Sequence, residues 1–155
     1  MADLKSELLF EMRADLDDAN RQELANTPHG TRRIVSGPGG VFEGPKLKGV
    51  LLPGGGDWLL TRPDGVSELD VRATLQTDDG HLIYMSYRGI LYRPPAVMER
   101  MRQGARDIDP SEYYFRTTPV FETGSEKYGW LNRIVAVGVG ERTQAGVAYT
   151  VYEIL

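Results

Sequence analysis

Apolar and polar side chains alternate without a break along residues 69–77, from Leu69 on one face to Asp70 on the other. This period of two is typical of a β-strand with one buried side. An Asp-Asp-Gly turn sequence at 78–80 follows, and a second extended run occupies 81–93. Because an Asp-Gly pair between two such runs predicts a β-hairpin, the chain is expected to build antiparallel sheet.

Short extended segments of this kind recur along the chain, and turn signals rich in Gly and Pro separate them. They are predicted at 4–12, 31–36, 42–52, 57–62, 69–77, 81–93, 113–122, 131–140 and 147–155. Gly-Pro-Gly-Gly at 37–40 predicts a turn and Pro-Gly-Gly-Gly at 53–56 a sharp reversal. One short helix is predicted at 96–103, where Pro94 and Pro95 precede it and Gly104 ends it. Residues 15–24 suit a short helix or a loop equally.

This pattern predicts an all-β fold, because the strands do not alternate with long helices. About nine short strands with one helix are compatible with an antiparallel sandwich or a barrel. The length of several strands favours the barrel, closed or nearly closed. A chain of 155 residues is near the usual size of one domain, so we expect a single β-barrel domain over 1–155.

Charge and hydropathy exclude several classes of partner. The 18 Lys and Arg residues are outnumbered by 22 Asp and Glu residues, and no basic run occurs, so we expect no nucleic-acid partner. No stretch approaches the roughly 20 apolar residues that span a bilayer, and the first twelve residues carry four charges where a signal peptide has an apolar core. The expectation is therefore a cytoplasmic protein with no membrane partner.

Metal and cofactor chemistry has little support in the sequence. The chain has no cysteine and two histidines, His29 and His81, which lie far apart, so no metal site is expected. The glycines at 37–44 match neither the dinucleotide fingerprint nor the phosphate loop that carries a lysine, so no cofactor is expected. Serine hydrolase chemistry is not indicated either, because no Gly-x-Ser-x-Gly sequence occurs.

The polar face of the 69–77 strand is one candidate site. It carries Asp70 and Arg72, and the partner strand of the hairpin offers Tyr84. If this face points into the barrel, Arg72 presents a guanidinium fork to a carboxylate, phenolate or carbonyl. If it points outward, it is the solvated side of a half-buried sheet, which is the usual arrangement. Periodicity alone favours the outward orientation.

Aromatic residues concentrate in a second region and could form the walls of a small-molecule pocket. Phe115, Arg116 and Glu122 lie on one predicted strand, and Tyr128, Trp130 and Asn132 follow a short loop. Aromatic residues at alternate strand positions are also ordinary core residues. Arg116 and Glu122 share a face by their even spacing, so they also fit a simple ion pair.

A third candidate follows the glycines at 54–56. Asp57 and Trp58 place a carboxylate and an indole where the backbone can approach a ligand closely. A carboxylate in an apolar pocket has its pKa raised by desolvation. The candidates for acid–base catalysis are therefore Asp57, Asp70 and Glu122.

Several of these residues also belong to a series of short motifs. In chain order they include Leu52-Pro53-Gly54-Gly55 before Asp57-Trp58, then Asp70-x-Arg72, then Tyr128-x-Trp130-Leu131-Asn132. The series runs over nearly the whole chain and resembles domain-of-unknown-function family 3237, also called uncharacterised protein family 0311. The resemblance implies a small, broadly calycin-like β-barrel without an established general function. It also implies that the motif positions, Asp70 and Arg72 included, face the interior.

Two functions remain open at this point. The first is a barrel that binds a small aromatic or carbonyl-bearing ligand, with Trp58, Phe115 and Trp130 as walls and Arg72 as the anchor. A cofactor-free isomerase or lyase would suit the same residues, although the sequence does not decide whether the protein is an enzyme. The second is a structural or regulatory protein that forms homo-oligomers and has a filled barrel. The presence of an interior cavity separates the two.

Overall fold

Eleven β-strands and one α-helix make up the computed structural model, which describes residues 2–155. The domain prediction of 1–155 therefore includes one residue, Met1, outside the described part of the chain. The strands are β1 (Ser6–Asp15), β2 (Gln22–Thr27), β3 (Gly30–Gly37), β4 (Gly39–Glu43), β5 (Lys48–Leu51), β6 (Gly55–Thr61), β7 (Ser67–Thr77), β8 (Leu82–Tyr92), β9 (Tyr114–Glu122), β10 (Val135–Arg142) and β11 (Gly146–Ile154).

The helical content is small and lies in the connections. Helix α1 (Pro95–Arg102) begins with proline, whose missing N–H is not needed in a first turn, and it is followed by Gly104 at a φ of 97°. Three short 3-10 helices span Asp18–Asn20, Pro110–Glu112 and Gly129–Arg133. No helix in residues 2–155 is long and apolar enough to cross a membrane.

Eight of the strands close into an antiparallel barrel, which confirms the predicted fold. Their order around the barrel is β7-β5-β4-β1-β11-β10-β9-β8, and β8 pairs again with β7. The remaining three strands, β6, β3 and β2, extend the sheet from the edge of β7. The structure has two strands more than predicted. Part of the unassigned segment 15–24 forms β2, and the predicted single strand 42–52 is instead a hairpin, in which β4 and β5 pair antiparallel around a turn closed by the Gly44 N–H and the Leu47 carbonyl.

Two glycine-rich segments bend the chain where the sequence predicted turns. β5 and β6 both run antiparallel to β7, so the chain keeps its direction through residues 52–54. β3 and β4 are likewise separated by Pro38 alone. β3 runs antiparallel to β6 and β4 runs antiparallel to β5, so β3 and β4 also share one direction. The predicted reversal at 53–56 is therefore wrong. Positive φ values at Gly39 and Gly54 allow these bends without a change of strand direction.

The predicted hairpin at 69–93 is confirmed as β7 and β8, which pair along their whole length around a turn with Gly80 at a φ of 88°. Two other predictions need correction. The segment 15–24, which suited a short helix or a loop equally, contains the 3-10 helix Asp18–Asn20 and the first residues of β2. Residues 131–133, predicted as strand, end a 3-10 helix. Polar and charged side chains dominate β2, so it lacks the apolar alternation that would identify it.

Large side chains fill one half of the barrel. Phe10 meets Phe42 and Phe121 edge to face with centroids 5.5 and 6.0 Å apart, and Leu75 and Ile83 are fully buried beside them. The 3-10 helix at Gly129–Arg133 covers this end of the barrel with the buried side chain of Leu131. Space for a ligand is therefore expected toward the other end, where β1, β10 and β11 meet their loops.

Candidate functional site

A cavity occupies the barrel interior at the end opposite the phenylalanine cluster. The space free of atoms amounts to about 680 Å³ when the open mouth is included. The volume that water molecules can enter is about 70 Å³. The second volume corresponds to roughly five water molecules. This end of the interior therefore contains space that side chains do not fill.

Small residues explain why this end is open. Gly37, Gly39, Gly55, Gly56 and Ala73 contribute to the cavity wall. They stand in β3, β4, β6 and β7, and none of them carries a side chain larger than a methyl group that could occupy the cavity.

Two acidic residues border this cavity, the exposed Asp15 at the end of β1 and the half-buried Asp57 on β6. The Oδ1 of Asp57 accepts a hydrogen bond of 3.0 Å from the backbone N–H of Asp70. The β6–β7 ladder has no paired residues between Asp57–Val71 and Leu60–Glu68, and the neighbouring Trp58 carbonyl accepts from Arg32 at 2.8 Å. Side chains therefore replace backbone pairing here and fix the orientation of the carboxyl group.

Burial raises the pKa of Asp57 from 3.8 to about 6. Desolvation is the main cause, because the apolar cavity disfavours the charged form. The Asp70 N–H, Arg142 and Arg32 stabilise the carboxylate and partly offset this effect, whereas the charge of Asp70 adds to it. The group therefore changes protonation state near neutral pH, where a general acid or base is most effective.

Two buried tyrosines face the same space. Tyr87 on β8 and Tyr149 on β11 line the cavity with ring centroids 5.4 Å apart, and Phe115 packs against Tyr149 at 5.4 Å. Desolvation raises the pKa of both phenols above the ordinary value, and the charge of Asp57 raises them further. Both remain neutral hydrogen-bond donors at physiological pH.

A carboxyl group with a pKa near neutrality and two phenol donors suit one kind of chemistry. The carboxylate can remove a proton next to a carbonyl group, and the phenols can stabilise the negative charge that develops on the carbonyl oxygen. Such a reaction needs no metal. Within residues 2–155, no three His, Asp or Glu side chains converge as a set of metal ligands.

The sequence identified Asp57 and Phe115 but missed Tyr87, Tyr149 and Arg142. Tyr87 lies at the same strand parity as the buried Met85 and Leu91, and Tyr149 lies between the buried Val147 and Val151. That parity would have assigned both tyrosines to the interior. Arg142 ends β10 beside a turn, and no sequence pattern marks it as part of the cavity wall.

By strand parity, the side chains of Asp70 and Arg72 lie on the outer face of the sheet, although Arg72 also borders the cavity. Leu69, Leu75 and the other odd-numbered residues of β7 point inward and form core or cavity wall. Arg72 is exposed and lies over the outer face of Trp58, 5.6 Å from its ring centroid. Asp70 forms a weak ion pair with Arg88 at 3.5 Å. The usual polar-out arrangement therefore holds for this strand.

Three further candidates also lie outside the barrel. Tyr84 is 39% exposed on β8 and pairs across strands with the exposed Glu122. Arg116 lies 5.1 Å over the ring of Tyr114. Arg116 and Glu122 form no ion pair with each other among the described residues, since they stand at opposite ends of β9.

Tyr128, Trp130 and Asn132 belong to the closed end of the barrel. The buried Tyr128 donates to Asp79 at 3.0 Å, and Asn132 bonds both the N–H and the carbonyl of Thr123, at 2.8 and 2.9 Å. Lys46 lies 5.1 Å over the Trp130 ring. These contacts fix the covering segment to the barrel, so a structural role accounts for this group of residues.

One outer surface carries an unusual number of exposed apolar side chains. It is formed by β8, β9 and β10, and we call it the β8–β10 face. Its most exposed members are each 37–66% accessible: Leu82, Tyr84, Ile90, Tyr92, Tyr114, Val120, Val135 and Val139. Exposed apolar groups in one patch are typical of association surfaces.

Comparison with known proteins places this chain in a family. A family model described as "Protein of unknown function (DUF3237)" matches residues 4–154. A UPF0311 protein of Rhodopseudomonas palustris is 33% identical over 152 residues, which cover 98% of this chain and 97% of that protein.

Solved structures agree with the barrel. A beta-barrel like protein from Acinetobacter baumannii has a TM-score of 0.86 at 39% identity, and the match covers 100% of this chain and 98% of that one. An enzyme from Penicillium herquei has a TM-score of 0.73 at 21% identity, with 100% and 97% coverage. At that identity the second likeness supports the fold alone.

Proposed function

Because the chain belongs to this DUF3237 family of unknown function, its chemistry must be inferred from its own residues, and we propose a cofactor-free proton-transfer enzyme. The barrel cavity binds a small aromatic or carbonyl-bearing molecule, and Asp57 moves a proton on it, as in an isomerase or lyase. The observation that carries the proposal is Asp57 itself, a carboxyl group with a pKa of about 6 that faces an open cavity.

Each wall residue has a defined part in this reaction. Asp57, as the carboxylate, accepts a proton from the carbon next to a carbonyl group and returns it at a second position. Tyr87 and Tyr149 donate hydrogen bonds to the carbonyl oxygen as negative charge develops there. Leu69, Phe115 and the other apolar wall residues exclude water, which strengthens these interactions.

Exchange of carbon-bound hydrogen for deuterium in simple model ketones tests the proposal. Cyclic ketones and aryl ketones of about one ring are incubated with the protein in D₂O, and the α-proton signal is followed by NMR. We expect protein-dependent exchange that increases with pH through about 6, as Asp57 ionises. Asp57→Asn is expected to reduce the rate about 100-fold, because general-base catalysis contributes on that order.

Matched variants give the control. Glu43→Gln removes an exposed carboxylate on the outer side of β4 and is expected to retain the rate of the wild type. Tyr149→Phe removes one donor and is expected to reduce the rate about 100-fold. If none of the ketones exchanges, or if the exchange rate is the same with Asp57→Asn as with the wild type, the proposed function is wrong.

Self-association is a second candidate function, favoured by the exposed side chains of the β8–β10 face. We expect the wild type to elute as a dimer in size-exclusion chromatography with light scattering. Val120→Glu is expected to yield monomers, because it places a charge in this face at an apolar position that is 57% exposed. A wild type that elutes as a monomer at micromolar concentration would rule this candidate out.

A further inference from the structure

A second, wider cavity lies at the mouth of the barrel. It is enclosed by the segment after α1, the β10–β11 turn and the 3-10 helix that follows β1. The volume that water molecules can enter is about 1100 Å³ here, far larger than the corresponding volume of the inner cavity. Arg142 belongs to the walls of both cavities, so the two meet at its side chain. The charged residues in the outer wall are Asp18, Arg93, Arg106, Asp107, Asp109 and Arg142.

Arg93 is the unusual member of this wall. It is half-buried, and its side chain makes no ion pair and no hydrogen bond with any of residues 2–155. No fully buried side-chain nitrogen in that range lacks a partner, so the guanidinium must reach the open space of the cavity. A cation that has lost part of its hydration and has no protein partner favours an anionic ligand.

Arg142 adds a second cation to the same place. Desolvation and the charge of Arg142 both lower the pKa of Arg93, so the two guanidinium groups lie close enough to repel each other. The acidic partner of Arg142, Asp18, is 3.5 Å away, and both side chains are more than one third exposed, so this ion pair is weak. Asp109 is occupied elsewhere, because it accepts the Ser111 N–H at 2.9 Å.

Arg142 also faces inward. Its charge lowers the pKa of Asp57 and of Tyr149, which places it within electrostatic range of the proton-transfer site. An anionic group held by the two arginines would therefore leave the rest of a small molecule pointing into the inner cavity. A planar carboxylate matches the forked geometry of guanidinium groups.

We propose that Arg93 and Arg142 form a carboxylate-binding site at the barrel mouth, and that the substrate is a small aromatic or unsaturated carboxylic acid whose ring enters the cavity beside Asp57. This inference rests on the proposed function and names its substrate class. The carboxylate relieves the repulsion between the two arginines and fixes the depth to which the ring enters. Tyr113 supports the arrangement, because its hydroxyl accepts the backbone N–H of Arg142 at 3.1 Å.

Titration calorimetry with matched acids and amides tests the carboxylate site. Benzoate and cinnamate are compared with benzamide and cinnamamide, which have the same shape without the charge. We expect the acids to bind at least 10-fold more tightly than the amides, because charge-assisted hydrogen bonds are about twice as strong as neutral ones. Arg93→Met and Arg142→Met are each expected to remove that difference while amide binding is unchanged.

Control variants distinguish binding at this site from a general attraction between the protein and anions. Arg13→Met removes an exposed arginine on the outer side of β1 and is expected to leave acid binding unchanged. Arg93→Lys is expected to restore part of the affinity, since it keeps the charge and loses the fork. Inorganic phosphate that binds as tightly as benzoate would overturn the assignment to carboxylic acids.

The remaining outcomes distinguish the two proposals. Equal binding of acids and amides would overturn the carboxylate site and leave the proton-transfer cavity standing. Failure of both acids and amides to bind, with no exchange in the ketone panel, would overturn both. Thermal unfolding of each variant shows whether a loss of binding reflects a loss of fold.

Discussion

Asp57→Asn is expected to unfold at a higher temperature than the wild type at pH 7.5. The wild-type carboxylate is held in an apolar cavity that raises its pKa from 3.8 to about 6. The difference corresponds to about 3 kcal/mol of lost stability once the group is charged. Asparagine avoids that charge and still offers an oxygen to the Asp70 N–H. We therefore expect a rise in Tm of about 5–10 °C.

Because its pKa is raised, Asp57 makes the folded wild type less stable as the pH rises. Between pH 4 and 6 the folded wild type holds a proton that the unfolded chain has lost, so its free energy of unfolding falls as pH rises. The loss is complete above about pH 7. The stability difference between Asp57→Asn and the wild type is therefore small near pH 4 and largest above pH 7. Urea unfolding at several pH values measures it.

Asp79 provides a control with the opposite sign. Its hydrogen bond with Lys127 is the main cause that holds its pKa below the usual range. Its stabilising contribution is present above pH 4 and is lost as pH falls. Asp79→Asn is therefore expected to be less stable than the wild type at pH 7. An Asp57→Asn protein that is also less stable at pH 7 would contradict the account of Asp57.

The second large effect concerns closure of the barrel at Gly49. A Cβ atom on Gly49 would lie 1.9 Å from the backbone oxygen of Gln76 and 2.8 Å from the Cα of Thr77, on the neighbouring strand β7. These are backbone atoms, which cannot rotate away. Gly49→Ala therefore has to separate β5 from β7, where the two strands pair to close the barrel.

We expect Gly49→Ala to lose about 3 kcal/mol of stability or more and to lower the Tm by about 6–12 °C. Gly124→Ala is the matched control, because a Cβ there meets no atom within 4 Å. Its Tm is expected to stay within about 2 °C of the wild type. If the two variants unfold at the same temperature, the close approach of β5 and β7 is not a determinant of the fold.

The fold was largely predictable because its strongest signals are local. The alternation at 69–77 and the Asp-Gly turn define β7 and β8, and glycine and proline mark most strand ends. The bends at Gly39 and Gly54 were not predictable in direction, because a glycine-rich segment permits a bend as readily as a reversal. Only the pairing of β5 and β6 with the same strand decides between them.

The candidate site was predictable in part. Asp57 stood out because it follows three glycines, and the structure places it in the cavity wall. Arg72 and Asp70 stood out for their chemistry, but their strand points apolar residues inward, as periodicity alone favoured. Tyr87 and Tyr149 looked like core residues, because their strand neighbours are apolar. Which buried residues border empty space depends on residue sizes on several strands at once, and one strand does not reveal it.

The proposed function depends on Asp57 as a cavity carboxyl group that exchanges a proton near neutral pH. The most direct measurement is an NMR titration of the ¹³C-labelled aspartate side chains, with the Asp57 signal assigned by its absence in Asp57→Asn. The account predicts an apparent pKa of about 6 for Asp57. A value near 4 would mean that the carboxyl group is as well solvated as in the unfolded chain, and would contradict the account.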